Sequence, residues 1–220
     1  MTKRKMDTII KFLKENYDEI IKEIMDKNID LFEMLVTTIL SQRTTDENTY
    51  FASERLFSVV TTPEEILDLD DEQLEDLIKS SGTFRRKAKR IKEVSKILIE
   101  KYPKTFPKER EELMNLPGVG PKTADVVLSY GMGKPVIAVD VHVEVCSKRL
   151  GLVRKEAKYE EIRKTLEDLV PEDQRYLVNL GFVKFGKNIC RTRYPKCSDC
   201  KLIDICNFPS SGKQLKTPCK

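Results

Sequence analysis

The stretch that most limits what this chain can fold into is L-P-G-V-G-P-K, from Leu116 to Lys122. Pro117, Gly118, Gly120 and Pro121 cannot all continue a helix, because glycine readily takes positive φ and proline lacks an amide donor. The chain must reverse tightly there. Pro121, preorganised for a first helical turn, then restarts it as a helix with Lys122 next in line. Ala124, Val127 and Leu128 are spaced for the inner face of that second helix, which should stop near Gly131 and Gly133. The expectation is two short helices joined by a glycine hairpin, then an apolar run from Pro135 to Val139, then Asp140. Free N–H groups at Gly118, Val119 and Gly120, together with a positive helix end, would make the hairpin an anion site. An ordinary turn between packed helices accounts for the same residues.

Helical periodicity covers most of the remainder. Asp7 to Met25 repeats apolar residues at Ile9, Phe12, Leu13, Ile20, Ile21 and Ile24. Asn28 and Asp30 offer a cap before Leu31 to Leu40, where Phe32, Leu35, Val36 and Ile39 give a more apolar helix. Asn48 to Leu56 follows with Asp46 as its cap. Thr62-Pro63-Glu64-Glu65 starts another helix, and Asp71 to Lys79 one more. Arg85 to Lys101 is basic and amphipathic. Val141 to Leu150, capped by Asp140, Tyr159 to Leu169 and Glu172 to Phe185 complete the set. Convincing strand alternation and internal repeats are lacking, so the chain reads as all-α with short connections.

Charge is nearly balanced, with 40 basic against 36 acidic residues and a net +4, which is compatible with a nucleic-acid partner without requiring one. Its distribution is more informative. Basic clusters stand at Arg85 to Arg90, at Lys184 to Lys196 and in the carboxyl tail. The apolar stretches are too short to cross a bilayer, and the opening M-T-K-R-K-M-D-T leads into no signal-type apolar core. A cytoplasmic protein is expected.

Cys190, Cys197, Cys200 and Cys206 form C-x6-C-x2-C-x5-C. Thiols packed this closely in a chain without a secretory signal more often hold metal than disulfides, and spacing alone leaves tetrahedral zinc and a [4Fe-4S] cluster both open. Cys146 reads as a buried structural thiol, and Cys219 has no evident partner.

The segments L-P-G-V-G-x-K-T-A-x-V-V-L and I-A-V-D-x-H, with the four-cysteine spacing, resemble the iron-sulfur endonuclease III family of helix-hairpin-helix/Gly-Pro-Asp DNA glycosylases. The resemblance covers nearly the whole chain. It implies an all-α, two-lobed fold, with residues 26–134 as a six-helix barrel lobe carrying the hairpin, and residues 1–25 plus 135–220 as the cluster lobe. It implies a [4Fe-4S] cluster on Cys190, Cys197, Cys200 and Cys206, with Lys122 as amine nucleophile and Asp140 as its carboxylate partner. The implied activity is removal of oxidised pyrimidines from duplex DNA, with strand nicking by β-elimination through a Lys imine. The implied partner is double-stranded DNA carrying damaged bases or abasic sites, met by a monomer in the cytoplasm, nucleoid-associated in a prokaryote.

The chemistry of these two residues is consistent with that assignment. An ammonium is not a nucleophile, and a position in the first turn of a helix favours the neutral amine of Lys122. Asp140 can stabilise positive charge on the sugar while also capping the helix that follows it. Gln42 and Arg43, in L-S-Q-R-T-T-D, stand where the family commonly carries L-S-x-Q-x-T-D, a loop that fills the gap left by an extruded base. Phe84 follows Thr83, where the family places a large apolar wedge, although a core Phe fits equally well. Arg191 and Arg193, in the first cysteine loop, suit phosphate contacts. His142 reads as structural support. A monofunctional mismatch glycosylase acting on T/G or A/G pairs is the alternative, and a non-catalytic DNA-binding module is a further one.

Overall fold

The computed structural model describes residues 2–25 and 30–208. Among the described residues there are eleven α-helices and no strand. The chain divides into two compact units, Asn28–Lys134 and Met1–Lys27 with Pro135–Lys220. Cys219, the basic carboxyl tail and Asn28 lie outside the described residues.

In the Met1–Lys27/Pro135–Lys220 unit, α1 (Thr2–Met25) packs along α11 (Tyr176–Asn188), beside α9 (Val141–Arg149) and α10 (Tyr159–Leu169). Met6, Ile9, Ile10, Leu13 and Ile21 of α1 are buried against Val178, Phe182 and Phe185. Each such side chain withdrawn from water contributes roughly 1.5–3 kcal/mol before conformational entropy is charged against it. Ile20, grouped by spacing with the inner face, is instead 39% exposed, because the buried stripe is set by Met6, Leu13 and Ile21. Residues 172–174 form a separate 3-10 turn before α11, so the helix expected from Glu172 begins only at Tyr176. The apolar run before Asp140 is coil, buried at Ile137, Ala138 and Val139 and exposed at Pro135. Its amides are met by side chains of α10, with Ile137 N donating to Glu167 Oε1 at 3.0 Å and Val139 N to the Tyr159 hydroxyl at 3.3 Å.

In the Asn28–Lys134 unit, α2 (Leu31–Leu40) is the most apolar helix and buries Phe32, Leu35, Val36, Ile39 and Leu40. Asp30 caps it, its carboxylate accepting from Phe32 N and Glu33 N. Around it lie α3 (Asp46–Phe57), α4 (Pro63–Asp68), α5 (Asp71–Leu77), α6 (Phe84–Lys101), α7 (Arg110–Met114) and α8 (Pro121–Val126). Thr62 with Glu65, and Asp70 with Gln73, form reciprocal capping boxes at α4 and α5. The cap of α3 is Thr45 rather than Asp46. The Thr45 hydroxyl accepts from Asn48 N, and Asp46 is the first helical residue, where its charge suits the positive helix end.

Candidate nucleic-acid interface and cysteine site

The hairpin is built from inside. Leu113, Leu116 and Val119 are buried, and the Val119 amide donates to the Leu116 carbonyl at 3.1 Å, so of the three hairpin residues expected to face a phosphate Val119 offers neither its side chain nor a free amide. Gly118 sits at φ 80°, and a Cβ there would meet Arg90 Cδ of α6 at 2.7 Å; the position needs glycine for both reasons. α7 and α8 are too short to persist alone. The tie between them is Arg110, whose Nε donates to Asp125 Oδ1 at 2.7 Å and whose Nη2 donates to Oδ2 at 3.2 Å, with Asp125 fully buried. Sequence reasoning missed this pair, since nothing at a spacing of fifteen residues marks it.

Lys122 occupies the second position of α8, behind Pro121. Beyond Val126 the helix does not run on as α but widens into a π turn over Val127–Gly131, a geometry frequent at functional sites. Asp140 caps α9, its Oδ1 accepting from His142 N and Val143 N, both at 2.9 Å. Both bonds use one oxygen, so Oδ2 keeps its lone pairs for another partner. His142 follows on α9 and packs on Gly186 of α11, where a Cβ would lie 2.4 Å from its Nδ1.

Gln42 and Arg43 diverge. Gln42 Nε2 donates to the Gly118 carbonyl at 2.9 Å, and Arg90 Nη1 approaches Gln42 Oε1 at 3.5 Å, so Gln42 is bound into the hairpin support. Arg43 is exposed at φ 55°. Phe84 opens α6 half-buried, outside the core, with the Arg85 guanidinium 5.7 Å from its ring centroid. Lys87, which no motif marked, is buried in the same region. Its Nζ donates to the carbonyls of Leu40 and Ser81, each at 2.6 Å, fastening the Gln42 loop to the turn before α6. Burial first, and then the Arg86 charge, lower its pKa to about 8.

The four motif cysteines line one pocket with Leu150, Phe185, Ile189 and Ile203. Burial and the neighbouring thiols push Cys200 and Cys206 up. Cys190 is instead lowered, by a hydrogen bond from the Cys146 thiol and by Arg149; the buried Cys146 is correspondingly raised. Arg149, also missed in the sequence, is nearly buried and donates to the carbonyls of Cys190, Arg191 and Thr192, while its guanidinium carbon lies 4.5 Å from the Phe208 ring centroid. The loop is thereby fixed by its backbone, and Arg191 and Arg193 are exposed. Four thiols without a histidine are a donor set that suits either zinc or an iron-sulfur cluster, and among the described residues they are not drawn together as a metal-binding group.

Residues 36–172 match the family described as HhH-GPD superfamily base excision DNA repair protein. Endonuclease III of Thermotoga maritima is 48% identical over 83% of this chain and 85% of its own length. Endonuclease III of Bacillus subtilis is 41% identical over 80% of each. A solved structure described as a trapped endonuclease III-DNA covalent intermediate, the estranged-adenine complex, superposes with a TM-score of 0.85 at 34% identity, covering 94% of this chain and 96% of that one. The chain belongs to the HhH-GPD superfamily of base excision DNA repair proteins and, within it, to the endonuclease III family.

Proposed function

We propose that this protein is a bifunctional DNA glycosylase and abasic-site lyase that removes oxidised pyrimidines from duplex DNA. The observation that carries the reading is Lys122 in the first turn of α8, directly behind the hairpin, in a chain 48% identical to an endonuclease III. The target nucleotide leaves the helical stack, at a cost of a few kcal/mol that is smallest for damaged or poorly paired bases. The lone pair of Lys122 Nζ then forms a bond to the anomeric carbon as the glycosidic bond breaks, and the base departs with that electron pair and takes up a proton. Asp140 stabilises the positive charge developing on the sugar. Opening of the ring gives an imine. Loss of a proton from C2′ expels the 3′ phosphate with the C3′–O3′ electron pair, and water hydrolyses the imine to release Lys122 as the free amine.

Cys190, Cys197, Cys200 and Cys206 would hold a [4Fe-4S] cluster, which when bound supplies four iron-thiolate bonds that cross-link the loop carrying Arg191 and Arg193. Gly118 and Gly120, with Arg191 and Arg193, contact DNA phosphates, Val119 packs beneath the turn, and Arg43 and Phe84 enter the duplex. Gln42 joins them as the support of the hairpin. The protein acts as a monomer on cytoplasmic, nucleoid-associated DNA.

The test is incubation with a duplex carrying one thymine glycol, with borohydride added in parallel. A nicked strand and a covalent protein-DNA adduct are expected, and Lys122→Gln should abolish both. Base release without an adduct would turn the assignment to a monofunctional mismatch glycosylase.

A further inference from the structure

In the Asn28–Lys134 unit, Gln42, Arg43, Thr83, Arg86, Lys87 and Arg90 line a cavity of about 230 Å³. Four of these six side chains are cationic and the lining contains no acid. Three carboxylates of α5 are engaged by cations outside the cavity, Glu75 by Arg85, Asp71 by Lys92 and Asp76 by Arg55. Two arginines, 86 and 90, stand one helical turn apart on α6, so they reach the same side. Lys87 cannot swing away, because Leu40 O and Ser81 O hold its Nζ. Arg43 (φ 55°) and Thr83 (φ 45°), in the two segments that Lys87 joins, take left-handed backbone that non-glycine residues adopt under constraint, and such strain gathers at binding sites.

Like charges gathered without a counter-charge repel one another, and an anion in the cavity turns that repulsion into attraction. Guanidinium forks match the oxygens of a phosphate. We propose that this cavity seats one phosphate group of the DNA backbone, gripped by Arg86 and Arg90, in addition to the contacts made by the hairpin and the cysteine loop. This rests on the DNA-repair reading above. The seat is continuous with the hairpin support, since the Arg90 stem packs on Gly118 and Gln42 bonds to the Gly118 carbonyl.

The experiment is duplex affinity by fluorescence anisotropy across a salt series, using the full chain with its iron, on an undamaged duplex and on one carrying a stable abasic analogue. Removing one cation–phosphate pairing makes the slope of log K against log salt shallower by about 0.9. Arg86→Gln and Arg90→Gln should each show that change, with affinity falling by the same factor on both duplexes, whereas Arg90→Lys should keep the wild-type slope. Arg86 is exposed, so its variant decides the matter if Arg90→Gln fails to fold. Wild-type slope and affinity in Arg86→Gln overturn the proposal. An arginine Nε–H response to inorganic phosphate in NMR, with the duplex slope unchanged by Arg86→Gln, assigns the cavity to free phosphate and overturns the DNA assignment. A wild type that binds duplex but yields neither nick nor trapped adduct removes the catalytic reading and leaves the slope comparison decisive. Absence of duplex binding by the wild type overturns both.

Discussion

Replacing Asp125 by Ala should show how the hairpin is held. The Asp125 side chain is 0% exposed and that of Arg110 18%. Removing the carboxylate takes two charge-assisted hydrogen bonds from a largely buried guanidinium, and breaking a buried pair from one side costs about 3–5 kcal/mol. Because Arg110 retains some exposure to water, the lower end, ~3 kcal/mol, is expected. At ~2–4 °C per kcal/mol for a chain of this size, Tm should fall by about 6–12 °C. Urea unfolding followed by circular dichroism at pH 7 gives the free energy directly. The double variant Arg110→Met/Asp125→Leu removes both charges of the pair, so its cost should be well below the sum of the single variants Asp125→Leu and Arg110→Met. Single variants within ~0.5 kcal/mol of wild type, or a double variant equal to that sum, would refute the argument.

Three further outcomes follow from the same geometry. With Lys87 lowered to about 8 from 10.5, the unfolded chain binds the extra proton between those values, so wild-type stability relative to Lys87→Met should rise with pH across that window. The rise should reach up to about 1.4 kcal/mol per pH unit; urea titrations at pH ~7 and ~9.5 measure it, and a flat or falling difference contradicts the lowered value. Gly118→Ala, at φ 80° and against Arg90, should lose ~1–2 kcal/mol, whereas Gly120→Ala, with nothing within 4 Å of its added Cβ, should stay within ~0.5 kcal/mol on the same assay. Cys197→Ser should abolish the visible absorbance and bound iron of the purified protein, and Cys146→Ser should keep both; loss of iron in the second would place Cys146 among the ligands.

Much of this molecule is legible along the chain because the signals are local. Two glycines and two prolines fix the reversal at the hairpin, the Thr62-Pro63 and Asp30 caps fix helix starts, and helical spacing fixes most of the buried stripes. Helix boundaries escape sequence reasoning where two neighbours compete for one job. Thr45 takes the cap expected of Asp46, and a 3-10 turn displaces the start of α11.

What only the tertiary structure decided is which polar groups are buried together, since that pairing depends on distance in space. Asp125 looks like any acid on a short helix until α7 brings Arg110 to it. Lys87 reads as one more residue of a basic run, and only the approach of Leu40 and Ser81 removes it from water. Gln42 and Arg43 are adjacent in sequence, but the Gly118 carbonyl claims the first and leaves the second exposed. The sequence by itself determined the family and most of the helices. Burial then determined which charges became supports and which stayed exposed, because desolvation acts on neighbours in the folded chain.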